Sequence, residues 1–436
     1  MGTVLCYRQL AFDVIPSGET DSMLPNSFYR LLPYVACFLA CTAIDLIYFP
    51  HATVFPDEQR ILGSAIRLVA SGEFWVGSDR AWEMPGAALF LAPFVWLFGP
   101  HNALIPIRLA QAVLVTVQCA LVGHIATRVF HTHRVGFVAS CILAIYPFVL
   151  FYQGLLLSET LFNTFLLAGM AGLFWWRDRG LRLDRALTVA SLCFVSATLT
   201  KATLTVLPPL LLATTAYLAG AGLRRTLATL VAACCLYGAF MSPWWIRNAE
   251  LLHAFVPFTT SSALNLYLGN NAHNPEAGID WASDVDPEFV AKTLLVPNEI
   301  ERQRIFKEAA VNYIKDNPTT FLRAAVKKFI RFWNVIPNAA EYRSPLYSAI
   351  SALSFVPILA LALICAGLRW RQWRLLAPFY LIVGYFTFVQ VVTIASLRYR
   401  FPIEPLLIVL AAEPVEALIA YFRRKVALQT QSAREA

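Results

Sequence analysis

Long apolar segments alternate with short polar connections along most of the chain. Each of these segments is apolar enough to be a helix in or at a membrane. They lie at 31–50, 85–99, 104–127, 135–157, 160–176, 186–200, 203–221, 226–246, 346–368, 375–395 and 402–422. The pattern predicts an all-α polytopic membrane protein.

The basic residues gather in connections between these segments. The clusters are Arg128 with Arg134; Arg177, Arg179, Arg182 and Arg185; Arg224 and Arg225; Arg369, Arg371 and Arg374; and Arg423, Arg424 and Lys425. Cytoplasmic loops carry an excess of Lys and Arg, so all five clusters are predicted on the cytoplasmic side. With the N-terminus and Arg134 both on the cytoplasmic side, the chain can cross the membrane only twice before Arg134. Three apolar segments lie there, so one of them does not cross. The 15 residues of 85–99 would cover about 22 Å of a core about 30 Å thick, and we expect a re-entrant or interfacial helix there.

About ten spans remain, with both termini inside. The expected regions are a cytoplasmic tail at 1–30, a membrane module at 31–246 that contains the first outer loop 51–103, an outer loop domain at 247–345, C-terminal membrane helices at 346–422 and a cytoplasmic tail at 423–436. The first apolar segment is expected to stay as an anchor.

Both outer loops carry helical patterns. Residues 57–71 alternate apolar and polar positions as an amphipathic surface helix does, with Asp57 at the position of an N-cap and Gly72 at that of a C-terminal stop. The second loop is polar and mostly helical, with a predicted break at Asn317-Pro318.

Composition supports the membrane class. The chain is 58% hydrophobic and 14% charged, with a mean hydropathy of +0.59. Because its basic residues follow the loops, the formal charge of +8 indicates topology and no nucleic-acid partner. Eight of the nine cysteines lie in apolar segments, which leaves no disulfide framework or metal spacing.

Charged residues recur at the predicted outer turns. Asp57 and Glu58 follow the first span, and Glu159 and Lys201 stand at two later turns. Arg398 and Arg400 precede the last span, against the positive-inside trend. Acids here could act on a substrate at the membrane boundary and cations could bind an anionic headgroup, although a helix cap, a turn residue or lipid phosphate explains single members equally well.

A divalent metal ion is a further candidate ligand. Glu83 precedes the interfacial helix, and His253 in the second outer loop could join it. The sequence carries no Walker motif, dinucleotide glycine pattern or nucleophile elbow.

Several short motifs together resemble the GT-C class of membrane glycosyltransferases, in the bacterial branch similar to protein O-mannosyltransferases and the lipid A aminoarabinose transferase. They are Pro56-Asp57-Glu58, Trp82-Glu83-Met84-Pro85, Leu97-Phe98-Gly99, Leu157-Ser158-Glu159, Leu199-Thr200-Lys201, Pro243-Trp244-Trp245-Ile246-Arg247-Asn248, Leu266-Tyr267-Leu268-Gly269-Asn270-Asn271 and Arg398-Tyr399-Arg400-Phe401-Pro402. Met84 stands where relatives often carry lysine or proline.

The resemblance implies a GT-C type helical bundle and a site at the outer, periplasmic face of the bacterial inner membrane. The donor would be a polyprenyl-phosphate sugar, the acceptor a lipid, glycan or protein. Asp57 would be the base of an inverting transfer, with its pKa raised by desolvation, and Glu58 or Glu159 would orient the acceptor. Lys201, Arg398 and Arg400 would bind the donor phosphate. The residues expected to bind acceptor or sugar are Arg247, Asn248, Asn270 and Asn271.

Two other functions fit a bundle of this kind. A transporter or flippase of a lipid-linked or anionic substrate would also need spans and charges, but no internal repeat is evident and the charges cluster at one predicted outer face. A ligase or assembly factor that binds polyprenyl carriers is the third.

Overall fold

The computed structural model describes residues 27–49, 53–278, 283–336 and 344–435. Most of the predicted N-terminal tail, with Cys6, lies outside these ranges. The described residues form helices joined by turns, apart from an isolated antiparallel bridge between Val76 and Asp79. The protein is therefore all-α, as predicted.

The N-terminal part contains ten α-helices. They are α1 (Ser27–Tyr48), α2 (Pro56–Ser71), α3 (Gly86–Asn102), α4 (Leu104–Phe130), α5 (His133–Ala144), α6 (Pro147–Gln153), α7 (Ser158–Asp178), α8 (Arg185–Thr200), α9 (Leu207–Leu218) and α10 (Gly222–Leu252). The second outer loop and the C-terminal part contain α11 (Ser262–Gly269), α12 (Pro287–Leu294), α13 (Glu299–Asp316), α14 (Pro318–Phe332), α15 (Pro345–Leu368), α16 (Trp373–Val392), α17 (Leu397–Arg400) and α18 (Glu404–Glu435).

Six segments of the described chain are long and apolar enough to cross a membrane, which makes this an integral membrane protein. They are Leu31–Tyr48, Leu104–Phe130, Gly222–Leu252, Pro345–Leu368, Trp370–Val392 and Leu397–Ala433. Helices α5 and α6 make a seventh if the pair, bent by 56°, is one span. Helices α8 and α9 are shorter, with 16 and 12 residues. The count of ten spans thus stays a prediction.

Close helix packing forms the main core. Gly169 and Gly172 of α7 let Phe194 and Ala190 of α8 approach its backbone, as small residues do in membrane bundles. The largest cluster of buried apolar side chains extends from these helices to α4, α5, α16 and α18. Large apolar side chains such as Leu353 of α15, which is 76% exposed, cover the outside of the bundle and fit a lipid environment.

Helix α2 begins and ends through local contacts. Its N-cap is Phe55, and Glu58 reaches back to accept hydrogen bonds from the N–H groups of Val54 (2.7 Å) and Phe55 (2.8 Å). The prediction that Asp57 occupies the N-cap position is therefore wrong. The helix ends as predicted at Gly72, whose φ of 73° places it in the left-handed region and whose N–H donates to Leu68.

Helix α3 lies beside α2 and contacts the end of α8. It has 17 residues, is interrupted at Gly99 with φ 74°, and is absent from the six spanning segments. Its predicted interfacial placement therefore stays a prediction.

The loops 51–103 and 247–345, both predicted on the outer side, are bound to each other by a buried carboxylate. Glu299 at the start of α13 accepts hydrogen bonds from the N–H of Arg80 (2.8 Å), the N–H of Ala81 (3.3 Å) and the hydroxyl of Thr260 (2.9 Å). The predicted break at Asn317-Pro318 separates α13 from α14. Helix α10 continues beyond the predicted end of its span to Leu252. The second outer loop is thereby held against the first, next to the start of α3.

Candidate active site

A continuous network of ion pairs joins charged residues from five separate segments. Its members are Glu83, Arg60, Asp57, Arg398, Glu159 and Lys201. Arg60 pairs with Asp57 at 2.8 Å through Nη1 and donates from Nε to Glu83 at 2.6 Å. Arg398 pairs with Asp57 through Nη1 and with Glu159 through Nε, the latter at 2.5 Å. The network contains three acids and three bases, so its formal charge is zero.

Helix ends and short turns supply the members of this network. Asp57 and Arg60 lie three residues apart in the first turns of α2, where side chains at that spacing are neighbours. Lys201 follows the last residue of α8. Gly86 at the start of α3 packs so closely against Thr200 that a Cβ atom would stand 2.8 Å from its backbone. This contact brings the chain that carries Glu83 beside the chain that carries Lys201.

Glu159 is the centre of the network. Its side chain is fully buried, and its Oε1 atom accepts from Lys201 Nζ at 3.0 Å and from Arg398 Nε at 2.5 Å. A buried carboxylate is costly unless it is paired and hydrogen-bonded, and two cations meet that need here. The side chains of Asp57, Lys201 and Arg398 remain 29%, 18% and 27% exposed, so the network has an accessible side.

The pKa values of Asp57 and Glu83 are shifted in opposite directions. Burial raises the pKa of Asp57, but the charges of Arg398 and Arg60 outweigh it, so its pKa lies below the usual value. The expectation that desolvation would raise it is wrong for this state of the site. Burial raises the pKa of Glu83, and its pairing with Arg60 does not cancel that effect.

Glu58 lies apart from the network. Besides its bonds at the start of α2, its Oε2 atom accepts from the N–H of Leu156 at 2.8 Å. All of these donors are backbone groups, so Glu58 fixes the start of α2 against the turn before α7. By fixing the start of α2, Glu58 holds Asp57 in place, but Glu58 itself forms no hydrogen bond or ion pair with the network residues.

Arg400 also lies apart, although Arg398 is only two residues away. It pairs with Glu404 at 2.7 Å, donates to the carbonyls of Phe332 and Asn334, and stacks on the ring of Phe355 at 3.4 Å. Residues two positions apart on a helical turn do not face the same side. The structure thus brings one of the two expected arginines to the network and buries the other.

The four residues expected to bind acceptor or sugar donate hydrogen bonds to backbone carbonyls of the loops 51–103 and 247–345 and of the end of α16. Arg247 donates to the carbonyls of Arg80 (2.8 Å) and Phe74, and Asn248 to that of Val256 at 3.0 Å. Asn270 donates to the carbonyls of Leu266 and Val392. Asn271 donates to the carbonyls of Tyr267, Leu268 and Asp284. None of the four is joined to the ion-pair network by these bonds.

The two candidate metal ligands have separate surroundings. Glu83 pairs with Arg60, whereas His253 is exposed at the end of α10 with a φ of 50°. Within the described part of the chain, no group of three His, Cys, Asp or Glu side chains could hold a metal ion.

Arg60 and Tyr399 belong to the site but were not among the predicted site residues. The Nζ atom of Lys201 lies 5.2 Å from the centroid of the Tyr399 ring, within range of a cation–π interaction. The spacing of Asp57 and Arg60 on a predicted helix was a signal for the first of them. No comparable pattern links Tyr399 to Lys201, which is far away in sequence.

Comparisons with known proteins give a structural likeness and no match by sequence. No protein-family model and no curated protein sequence matches the chain. The structure resembles the Archaeoglobus fulgidus oligosaccharyltransferase in its apo form, with a TM-score of 0.57 and 13% identity over 92% of this chain and 52% of that one. AglB from the same organism, in complex with an inhibitory peptide and a dolichol-phosphate, gives 0.54 and 12% over 93% and 52%. The chain has a GT-C type fold.

The sequence motifs implied a GT-C fold, and the structural likeness confirms it. Because the sequence identities are only 12% and 13%, the likeness shows the fold alone. The chain spans about half the length of the archaeal enzymes, at 52% of each. A weaker likeness, with a TM-score of 0.44 and 14% identity over 90% of this chain and 77% of the other, is found to ArnT from Cupriavidus metallidurans bound to undecaprenyl phosphate.

Proposed function

We propose that this protein is a glycosyltransferase that moves a sugar from a polyprenyl-phosphate donor to an acceptor at the outer face of the cytoplasmic membrane. The observation that carries this proposal is that a partly exposed carboxylate, Asp57, pairs with Arg398, which Glu159 in turn joins to a second cation, Lys201. A transfer of this kind needs a base for the acceptor and positive charge for a leaving phosphate, and the network offers both. The GT-C fold and the dolichol-phosphate in the AglB complex support the choice of donor.

The reaction is a single displacement that inverts the anomeric carbon. A lone pair of the acceptor hydroxyl or amine forms the new bond to that carbon, while the bond from the carbon to the phosphate oxygen breaks and leaves its electron pair on the phosphate. Asp57 takes the acceptor proton. Arg398 and Lys201 stabilise the negative charge that develops on the phosphate, and Glu159 holds both cations in place.

The remaining residues support this site. Glu58 fixes the helix turn that carries Asp57. Glu83 pairs with Arg60 and so holds Arg60 against the carboxylate of Asp57. The second outer loop is held in its conformation by hydrogen bonds from Arg247, Asn248, Asn270 and Asn271. This loop would cover the site and select the acceptor. Arg400 would act on the phosphate only through the position of Arg398.

The membrane location follows from the pattern of charge. The basic clusters between the apolar segments would face the cytoplasm, which leaves the turns that carry Asp57, Glu159, Lys201 and Arg398 on the periplasmic side. A polyprenyl carrier presents its phosphate at headgroup depth, where these turns would meet it.

The test is transfer by purified Asp57→Asn in liposomes supplied with polyprenyl-phosphate sugars and a membrane-lipid or envelope acceptor fraction. We expect loss of at least about a hundredfold in turnover, the usual scale for a general base. Glu73→Gln is the matched control, because Glu73 is an exposed acid of the same outer loop that pairs with Arg80 outside the network. A folded Asp57→Asn variant with full turnover contradicts the role of Asp57.

A further inference from the structure

Arg398 already uses two of its N–H groups on carboxylates of the protein. Its Nε donates to Glu159 and its Nη1 to Asp57. Arginine binds phosphate best through two parallel hydrogen bonds from one edge of the guanidinium group. With Nε held by Glu159, the edge left for a phosphate is the one formed by Nη1 and Nη2. Asp57 is bound to Nη1, one of the two nitrogens of that edge.

Of the two carboxylates on Arg398, Asp57 is the one that can leave. Glu159 is fully buried, so separation from Arg398 would leave its interior charge with Lys201 as the one remaining cation of the network. Asp57 is 29% exposed and keeps Arg60 on its other oxygen at 2.8 Å. An incoming anion can therefore take the place of Asp57 without stranding a buried charge.

We propose that the phosphate of the polyprenyl donor displaces Asp57 from Arg398, so that binding of the donor releases the carboxylate that acts as the base. This inference rests on the proposed function and adds an order of events to it. Before the donor binds, Asp57 is held between two guanidinium groups and is a poor proton acceptor. After the donor binds, the phosphate takes one of these groups and Asp57 turns to the acceptor.

The same exchange resets the site after transfer. The acceptor proton then sits on Asp57 and the carrier phosphate on Arg398. When the carrier leaves, Arg398 returns to Asp57, and a carboxyl group between two cations favours its ionised form. Departure of the product is thereby linked to loss of the proton.

Binding of undecaprenyl phosphate, which carries no sugar and permits no turnover, tests the exchange. Because Asp57 and the phosphate compete for Arg398, Asp57→Asn should bind this lipid about two- to fivefold more tightly than the wild type, a factor set by the strength of a partly exposed ion pair. The affinity is measured in lipid nanodiscs, with undecaprenol as the lipid that lacks the phosphate. An unchanged or weaker affinity of the folded variant overturns the proposal.

A second comparison separates competition from simple charge repulsion. Loss of any acid near a phosphate raises affinity somewhat, and Glu83→Gln measures that effect because Glu83 belongs to the network but pairs with Arg60. In an Arg398→Gln background, Asp57→Asn should give no gain beyond that of Glu83→Gln. A full gain in that background means repulsion alone and overturns the proposal.

Failure of the exchange and failure of the proposed function give different results. If the wild type binds undecaprenyl phosphate no better than undecaprenol, the donor class itself is wrong. If it prefers the phosphate but Asp57→Asn shows no gain, the exchange is wrong while the donor class stands. Asp57→Ser removes the same carboxylate and replaces Asp57→Asn in every arm if the latter does not fold.

Discussion

Neutralising Glu159 tests the network most directly. Glu159→Gln keeps the shape of the side chain but leaves Lys201 and Arg398 without the carboxylate oxygen that they share. Two like charges then face each other next to a buried amide. Because two ion pairs are lost at once, we expect the substitution to lower the free energy of unfolding of the protein.

The size of the effect follows from burial. Removal of one partner of a buried ion pair costs about 3–5 kcal/mol. Both cations are partly exposed, at 18% and 27%, and Arg398 keeps Asp57, so water and the second acid screen part of the loss. The expected cost is about 2–3 kcal/mol. In a chain of this size it corresponds to a melting midpoint lower by about 2–3 °C.

A thiol-reactive dye can follow the unfolding of the detergent-solubilised protein. Cys37, Cys41, Cys119 and Cys365 are buried and become reactive as the bundle opens. Glu73→Gln is the control, since Glu73 is 56% exposed and pairs only at the surface, and should cost less than about 0.5 kcal/mol. A midpoint of Glu159→Gln equal to that of the control would refute the view that Glu159 holds the network together.

Two further predictions concern the pH profile and the packing of α3. Because Arg398 and Arg60 outweigh burial and lower the pKa of Asp57, kcat/KM for the donor should stay constant as pH falls through about 4, the range of an ordinary carboxyl, and decline only below it. If the donor phosphate removes Arg398 from Asp57, the acid limb of kcat lies at higher pH than that of kcat/KM; coincident limbs contradict the exchange. Gly86→Ala places a Cβ 2.8 Å from the backbone of α8 and should cost about 1–3 kcal/mol and reduce transfer. Gly63→Ala, whose Cβ meets only the end of a flexible side chain at 3.8 Å, should not destabilise the protein, and equal melting of the two variants would argue against a tight contact.

Local chemistry was sufficient to predict much of the fold. The membrane class follows from apolar segments that are long enough to cross a hydrocarbon core. The helix end at Gly72 and the helix break at Asn317-Pro318 follow from the backbone conformations that glycine permits and proline imposes. The count of spans is different, because α8 and α9 are too short for length and hydropathy to decide whether they cross.

The candidate site divides in the same way. Charged residues at the predicted outer turns were visible in the chain. The resemblance gave Asp57 and Glu58 different roles, but nothing in the sequence separated Arg398 from Arg400. Successive helical residues point about 100° apart, so a role depends on which direction faces a partner. For Arg398 those partners lie 341 and 239 positions away, at Asp57 and Glu159. The residue types at the site follow from the sequence, whereas their pairing depends on how distant helices pack, because ion pairs form between atoms a few ångströms apart in space.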